Sequence, residues 1–145
     1  MSLFSSLDVS ASGMNAQRQR AELLVENLAN AETTRTPEGG PYRRKDVVFS
    51  EDPGVGSFSS EFTSAVGGHA NGVIVSETIV DDRAPDRRYL PGHPDADKDG
   101  YVAFPKINPA EDMVDLMGAS RSYEANVAAM SAVKDMISKS VDLFR

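Results

Sequence analysis

The sequence predicts an α+β fold in which long N- and C-terminal helices pair as a coiled-coil-like hairpin and enclose a small β-rich middle region. Three observations predict it. Apolar residues recur at seven-residue spacing at both ends, all but one proline and two glycines lie between those ends, and alternating β-branched residues occur only there. We therefore divide the chain into an N-terminal helix at 1–30, an irregular and β-rich middle domain at 31–107, and a C-terminal helix at 108–145.

The N-terminal segment up to Asn30 contains no proline and a single glycine, Gly13. Its main apolar series has seven-residue spacing, which keeps side chains on one helix face. The series and the residues beside it are Leu7, Met14, Ala21 and Leu28, with Leu3 and Leu24. We predict one helix of roughly seven to eight turns.

The C-terminal helix has clear start signals, with Asn108 as N-cap, Pro109 in the first helical position and Glu111 in the first turn. Two apolar series with seven-residue spacing follow. The first is Leu116, Tyr123, Met130, Ile137 and Phe144, and its companion three residues earlier is Met113, Ser120, Val127, Lys134 and Val141. Together they predict a packing seam.

Further apolar and small residues of this helix lie off the seam. They are Ala119, Ala125, Ala128, Ala129, Ala132, Val133, Met136 and Leu143. A helix that is apolar on more than one side needs more than one neighbour, and exposed apolar surface of this kind marks interaction sites. We expect other subunits to cover what the N-terminal helix leaves open.

In the middle domain, alternation predicts strands at 46–50, 72–81 and 101–104, with a further candidate at 57–66. Proline and charged residues make 83–100 a predicted loop. The basic run Arg43, Arg44 and Lys45 is expected to be a solvated entrance to the first strand.

Composition excludes several function classes. The net charge of -7 opposes binding to nucleic acid or to an anionic membrane surface. The absence of cysteine excludes disulfides and thiolate metal sites. No segment approaches the roughly 20 apolar residues that cross a bilayer, and the N-terminus lacks the pattern of a cleaved secretory signal.

No catalytic or cofactor-binding pattern is present, so we expect neither an enzyme nor a bound cofactor. The strongest chemical alternative is the Asp95–Gly100 stretch, which resembles the start of an EF-hand Ca²⁺ loop. Lys106 stands where that loop needs a bidentate glutamate, and this opposes Ca²⁺ binding. The expected structure is a charged turn in which Asp bonds to its own backbone. His69 and His93, the two histidines, are too far apart to suggest a metal pair.

The stretch NLANAETTRTPEGGPYRRKDVVF at 27–49 resembles the signature of the bacterial flagellar rod and hook family. The matching residues are Asn27, Asn30, Thr36, Pro37 and Tyr42. Most rod members have a compact Thr-Pro-Gly-Tyr, whereas this chain has four residues between Pro37 and Tyr42, a form similar to that of a proximal-rod member. HPDADKDGYVAFPKINP at 93–109 and ASRSYEANV at 119–127 are also similar to that family.

This resemblance implies a structural subunit of the proximal rod that assembles helically and transmits motor torque to the hook. Its two helices would form the inner layer of the rod and its middle domain an outer layer. It implies export by the flagellar type III apparatus without signal cleavage, and assembly in the periplasm. The implied partners are copies of the chain, other proximal- and distal-rod proteins and the export apparatus. A different rod subunit, a Ca²⁺-binding module and a cytosolic coiled-coil adaptor remain as alternatives.

Overall fold

The computed structural model describes residues 3–52 and 71–143, and these residues form two helices and four strands. The elements, in chain order, are α1 (Leu3–Ala29), β1 (Lys45–Glu51), β2 (Val73–Val80), β3 (Asp86–Tyr89), β4 (Tyr101–Phe104) and α2 (Pro109–Asp142). The predicted α+β class, with a helix at each end and strands between them, is confirmed. The candidate strand at 57–66 lies outside the described residues.

Local signals explain the bounds of both helices. The Asn108 side chain accepts a hydrogen bond from the backbone N–H of Ala110, and Pro109 follows in the first turn, as predicted for the start of α2. At the end of α1, the Asn30 side chain donates to the carbonyl of Glu26 at 2.9 Å. With 27 and 34 residues, the helices are about 40 and 50 Å long.

The helices pack against each other in opposite directions, since Gly13 lies beside Asn126 and Arg20 beside Asp115. A Cβ atom on Gly13 would lie 3.2 Å from Asn126 Nδ2, so the glycine permits close approach. On another side, α1 packs on β1 and β2. None of the described strands packs on α2, whose side opposite α1 is therefore uncovered.

The strands form two antiparallel two-stranded sheets, β1–β2 and β3–β4. The prediction that 83–100 is entirely loop is wrong, because Asp86–Tyr89 pairs in register with Tyr101–Phe104. The sequence of β3, Asp-Arg-Arg-Tyr, has no apolar alternation that would predict a strand, and all four of its residues are exposed. Its pairing is set by β4 and by the turn between them.

The buried set is small and partly polar. Its apolar members are Ala16, Leu24, Tyr42, Val102, Phe104, Ala119 and Val133, and its polar members are Asn27 and Asp112. On α2, the buried residues Asp112, Ala119 and Val133 share seven-residue spacing. This line lies one residue before the companion series of the sequence analysis, whose members Met113, Val127 and Val141 are exposed within the subunit.

Candidate functional site: a polar junction between the helices and the strands

The end of α1 is fixed to the start of β1 by the side chain of Asn27. Asn27 is 0% exposed; its Nδ2 donates to the Lys45 carbonyl at 2.7 Å, and its Oδ1 accepts from the Lys45 N–H at 2.9 Å. The Tyr42 hydroxyl donates to the same Oδ1 at 3.0 Å. The amide thus replaces the missing backbone partner of Lys45, which explains why an asparagine stands here.

The basic run Arg43, Arg44 and Lys45, whose last residue begins β1, connects three parts of the chain. Arg43 Nη1 donates to Asp82 at 2.8 Å, whereas Lys45 Nζ lies 2.6 Å from Glu26 of α1. Between them, Arg44 reaches α2. Because successive side chains of an extended backbone point to opposite sides, neighbouring cations can bind different helices. The expected solvated strand entrance holds for Arg43, whose side chain is 62% exposed, and is wrong for Arg44, whose side chain is 19% exposed.

Arg44 holds the first turn of α2 through Asp112. Its Nε and Nη2 donate to Asp112 Oδ1 at 3.1 and 2.8 Å, and its Nη1 donates to Asp46 at 3.2 Å. The Asp112 side chain is 2% exposed and that of Arg44 19%. The hydrogen bonds to Asp112 raise the pKa of Arg44 above its usual value. Removing one member of such a buried pair leaves an uncompensated charge, so the pair fixes how α2 begins.

Tyr42 lies between these two attachments. Burial, followed by the nearby Glu26 carboxylate, raises the pKa of the Tyr42 hydroxyl to about 12. The hydroxyl therefore stays protonated at neutral pH and can donate to Asn27. Among the five motif residues, Asn27, Asn30 and Tyr42 lie at this junction.

The other two motif residues, Thr36 and Pro37, belong to an adjoining turn. The Thr36 N–H donates to the Gly40 carbonyl at 2.9 Å, and the Gly39 N–H donates to the Thr36 carbonyl at 3.0 Å. Gly39 and Gly40 have φ of 90° and 80°, a region that strongly favours glycine. The lengthened segment before Tyr42 is thus a tight turn that needs both glycines.

The Asp95–Gly100 stretch forms a self-bonded turn, as expected. Asp97 Oδ1 accepts from the backbone N–H groups of Asp99 and Tyr101 at 3.0 and 2.8 Å, while Gly100 has φ of 82°. Asp95 accepts from the Thr34 hydroxyl at 2.8 Å. Within residues 3–52 and 71–143, no group of three or more His, Cys, Asp or Glu residues is arranged to hold a metal ion.

The packing residues named from sequence differ in burial within one subunit. Leu24 is buried; Leu7, Met14, Leu28, Leu116, Met130 and Ile137 are half-buried; Tyr123, Val127 and Val141 are exposed. Phe144 lies outside the described residues.

None of the helices described has both the length and the apolar character needed to cross a membrane.

Sequence reasoning did not identify Arg44, Lys45 or Asp112 as members of the junction. Asp112 resembled an ordinary acidic residue of a first helical turn. Three consecutive cations directly after a motif tyrosine, at the start of a strand, were the available signal, but their acidic partners are distant in sequence. The junction as a whole joins two long helices to the strands through directional bonds between side chains.

Comparison with known proteins identifies the class. Residues 98–143 match the family model described as flagellar basal body rod FlgEFG protein C-terminal. The flagellar basal-body rod protein FlgC of Bacillus subtilis is 43% identical over 99% of both chains, and that of Borreliella burgdorferi is 42% identical over 94% of this chain and 93% of its own. The FlgC of Salmonella typhimurium is 37% identical over 99% of this chain and 98% of its own.

The chain belongs to the FlgC family of flagellar basal-body rod proteins. It is a structural subunit of the rod and not an enzyme.

Proposed function

We propose that the subunit occupies the proximal part of the rod, assembles helically with its neighbours, and transmits motor torque to the hook. In this arrangement α1 and α2 pair as a coiled-coil-like hairpin in the inner layer, and the strands lie outside. The observation that carries the proposal is the polar junction, because it joins both helices to the strands through directional bonds. Such a connection resists rotation of one layer against the other.

The uncovered apolar surface of α2 supports assembly with other subunits. Val114 is 67% exposed, Met117 57% and Met136 49%. Gly118, Ala125, Ala128 and Ala132 lie on the same side of the helix and leave room for close approach of a second helix. Contacts between unlike surfaces of identical subunits produce open helical filaments when the rotation does not close.

The proposed neighbours are copies of the chain, other proximal- and distal-rod proteins and, at the cell-proximal end, the flagellar export apparatus. Export through that apparatus without signal cleavage would deliver the subunit to the periplasmic rod. Free subunits would have frayed helix ends that become ordered on assembly, since helices gain most of their stability from packing. Circular dichroism that finds both helices fully formed in a dilute monomer would contradict this part.

The seam between the helices can be tested by Leu116→Asp and Ile137→Asp. Each change buries an unpaired carboxylate in a half-buried position, and we expect loss of motility. Ser138→Asp, which adds the same charge at an exposed position of the same helix, should leave motility unchanged. Motility that survives both seam changes would refute a helical layer that transmits torque.

The uncovered apolar surface of α2 is tested separately by Met117→Asp. Because Met117 is already exposed in the subunit, the free energy of unfolding should change by less than about 0.5 kcal/mol. We expect the variant to be absent from purified basal bodies. Normal incorporation together with normal motility would show that this face is not an assembly surface.

A further inference from the structure

We propose that the pair Asn71 and Gly72, directly before β2, is a site of spontaneous deamidation whose rate is set by Glu51 of β1. The reaction converts the Asn71 amide into a carboxylate, and its isoaspartate product releases the start of β2 from α1. Asn71 is exposed, so water reaches it. It is also the single asparagine of the chain that a glycine follows; the other five are Asn15, Asn27, Asn30, Asn108 and Asn126.

The reaction needs only the chain and water. The Gly72 backbone nitrogen attacks the side-chain carbonyl carbon of Asn71, the bond from Cγ to Nδ2 breaks, and the nitrogen leaves as ammonia with the proton of the Gly72 N–H. The five-membered succinimide that remains takes up one water molecule and opens to aspartate or to isoaspartate. A Cβ atom on the following residue hinders the attack, and glycine has none.

Packing favours the glycine that makes Asn71 reactive. A Cβ atom on Gly72 would lie 2.7 Å from Ser12 Oγ and 3.1 Å from Ser12 Cβ of α1. The same Ser12 Oγ accepts from the Val73 N–H at 3.0 Å, and the Gly72 carbonyl accepts from the Asp52 N–H at 2.9 Å. These two bonds attach the start of β2 to α1 and to the end of β1. A side chain on residue 72 would push β2 away from Ser12, so the fold retains the reactive pair.

The Glu51 carboxylate slows the reaction while the two strands are paired. Asn71 Nδ2 donates to Glu51 Oε1, which holds the amide in place. The negative charge beside the amide also disfavours the anion that forms when the Gly72 nitrogen attacks. Glu51 pairs with Val73 across the strands, so the contact depends on the fold. Because Glu51 and Asn71 are both exposed, the contact is weak and the reaction is slowed but not prevented.

Deamidation changes the contacts at the start of β2 in two ways. A carboxylate replaces the amide that donated to Glu51, so two negative charges face each other where a hydrogen bond was. Isoaspartate also adds one methylene group to the backbone directly before Gly72. This insertion displaces the Gly72 carbonyl and the Val73 N–H from their partners on β1 and α1. The packing of β2 on α1 is therefore weakened where the two elements are closest.

Mass spectrometry of the folded chain, incubated in warm and mildly alkaline buffer, tests the reaction. Trypsin releases residues 46–83 as one peptide in which Asn71 is the single asparagine or glutamine, so a change from amide to acid mass reports this site alone. We expect conversion about tenfold faster than at Asn15, an exposed asparagine that alanine follows. Asn71→Gln keeps the amide but requires a larger ring, and it should abolish the conversion. A folded chain that stays unconverted while the urea-unfolded chain converts would overturn the proposal.

Two further measurements test the parts played by Glu51 and by the product. Glu51→Ala should speed conversion severalfold in the folded chain and leave the rate in urea unchanged; equal rates in the folded chains would exclude the role of Glu51. The isoaspartate form, isolated by anion exchange, should show severalfold faster hydrogen exchange at the Asp52 and Val73 amides. Asn71→Asp supplies the charge without the added methylene group and should show a smaller change. Exchange as slow as in the parent chain would contradict the release of β2.

Discussion

Replacing Asn27 by alanine should lower the free energy of unfolding by roughly 3–5 kcal/mol. The change removes three hydrogen bonds, at 2.7, 2.9 and 3.0 Å, from a residue that is 0% exposed. The Lys45 N–H, the Lys45 carbonyl and the Tyr42 hydroxyl lose their partner, at about 1–2 kcal/mol each. The better helix propensity of alanine returns about half a kcal/mol. Against a typical domain stability of about 5–15 kcal/mol, the loss would be large.

Urea unfolding followed by far-UV circular dichroism and tyrosine fluorescence measures this loss, and the chain has no tryptophan to mask the tyrosines. Asn15→Ala makes the same chemical change at an exposed position of α1, and it should shift stability by no more than about 0.5 kcal/mol. Tyr42→Phe, which removes one of the three bonds, should cost about 1 kcal/mol. An Asn27→Ala variant within about 1 kcal/mol of the parent would refute the role assigned to the junction.

Three further outcomes are expected. Arg44→Met should lower the free energy of unfolding by about 3–5 kcal/mol, because Asp112 stays buried and unpaired. Adding Asp112→Leu should recover most of that loss in urea unfolding. A double variant whose loss equals the sum of the two single losses would contradict the pairing. Because burial raises the pKa of Tyr42 to about 12, ionisation of its hydroxyl should lower the free energy of unfolding by about 2–3 kcal/mol as the pH rises from about 10 through 12, with no such loss below pH 10. Tyr42→Phe should remove this step from the plot of stability against pH, and an unchanged plot would exclude it. Gly72→Ala places a Cβ 2.7 Å from the hydrogen-bonded Ser12 hydroxyl and should lower Tm by about 3–10 °C; an unchanged Tm would show that β2 can shift away from α1.

The elements that depend on local signals could be predicted from the sequence. Seven-residue spacing indicated a helix at each end, and Asn108 with Pro109 gave the start of α2, because periodicity and capping act within one or two turns. Strands β1, β2 and β4 followed from alternation, and the self-bonded Asp97 turn followed from the local chemistry of Asp and Gly. The motif asparagines and Tyr42 marked the region of the junction but not its bonds.

Only the tertiary structure decided which groups meet. Arg44 and Asp112 are 68 positions apart, and Thr34 and Asp95 are 61 apart, so no local pattern could pair them. Strand β3 is charged and exposed, and it exists because β4 supplies its hydrogen bonds. The buried line on α2 passes through Asp112, since the rotation of a helix is set by the neighbour it packs on and by the ion pair that fixes its first turn. Periodicity determines that a helix has an apolar face; contacts between distant residues determine which part of that face is covered within the subunit and which part is left for another chain.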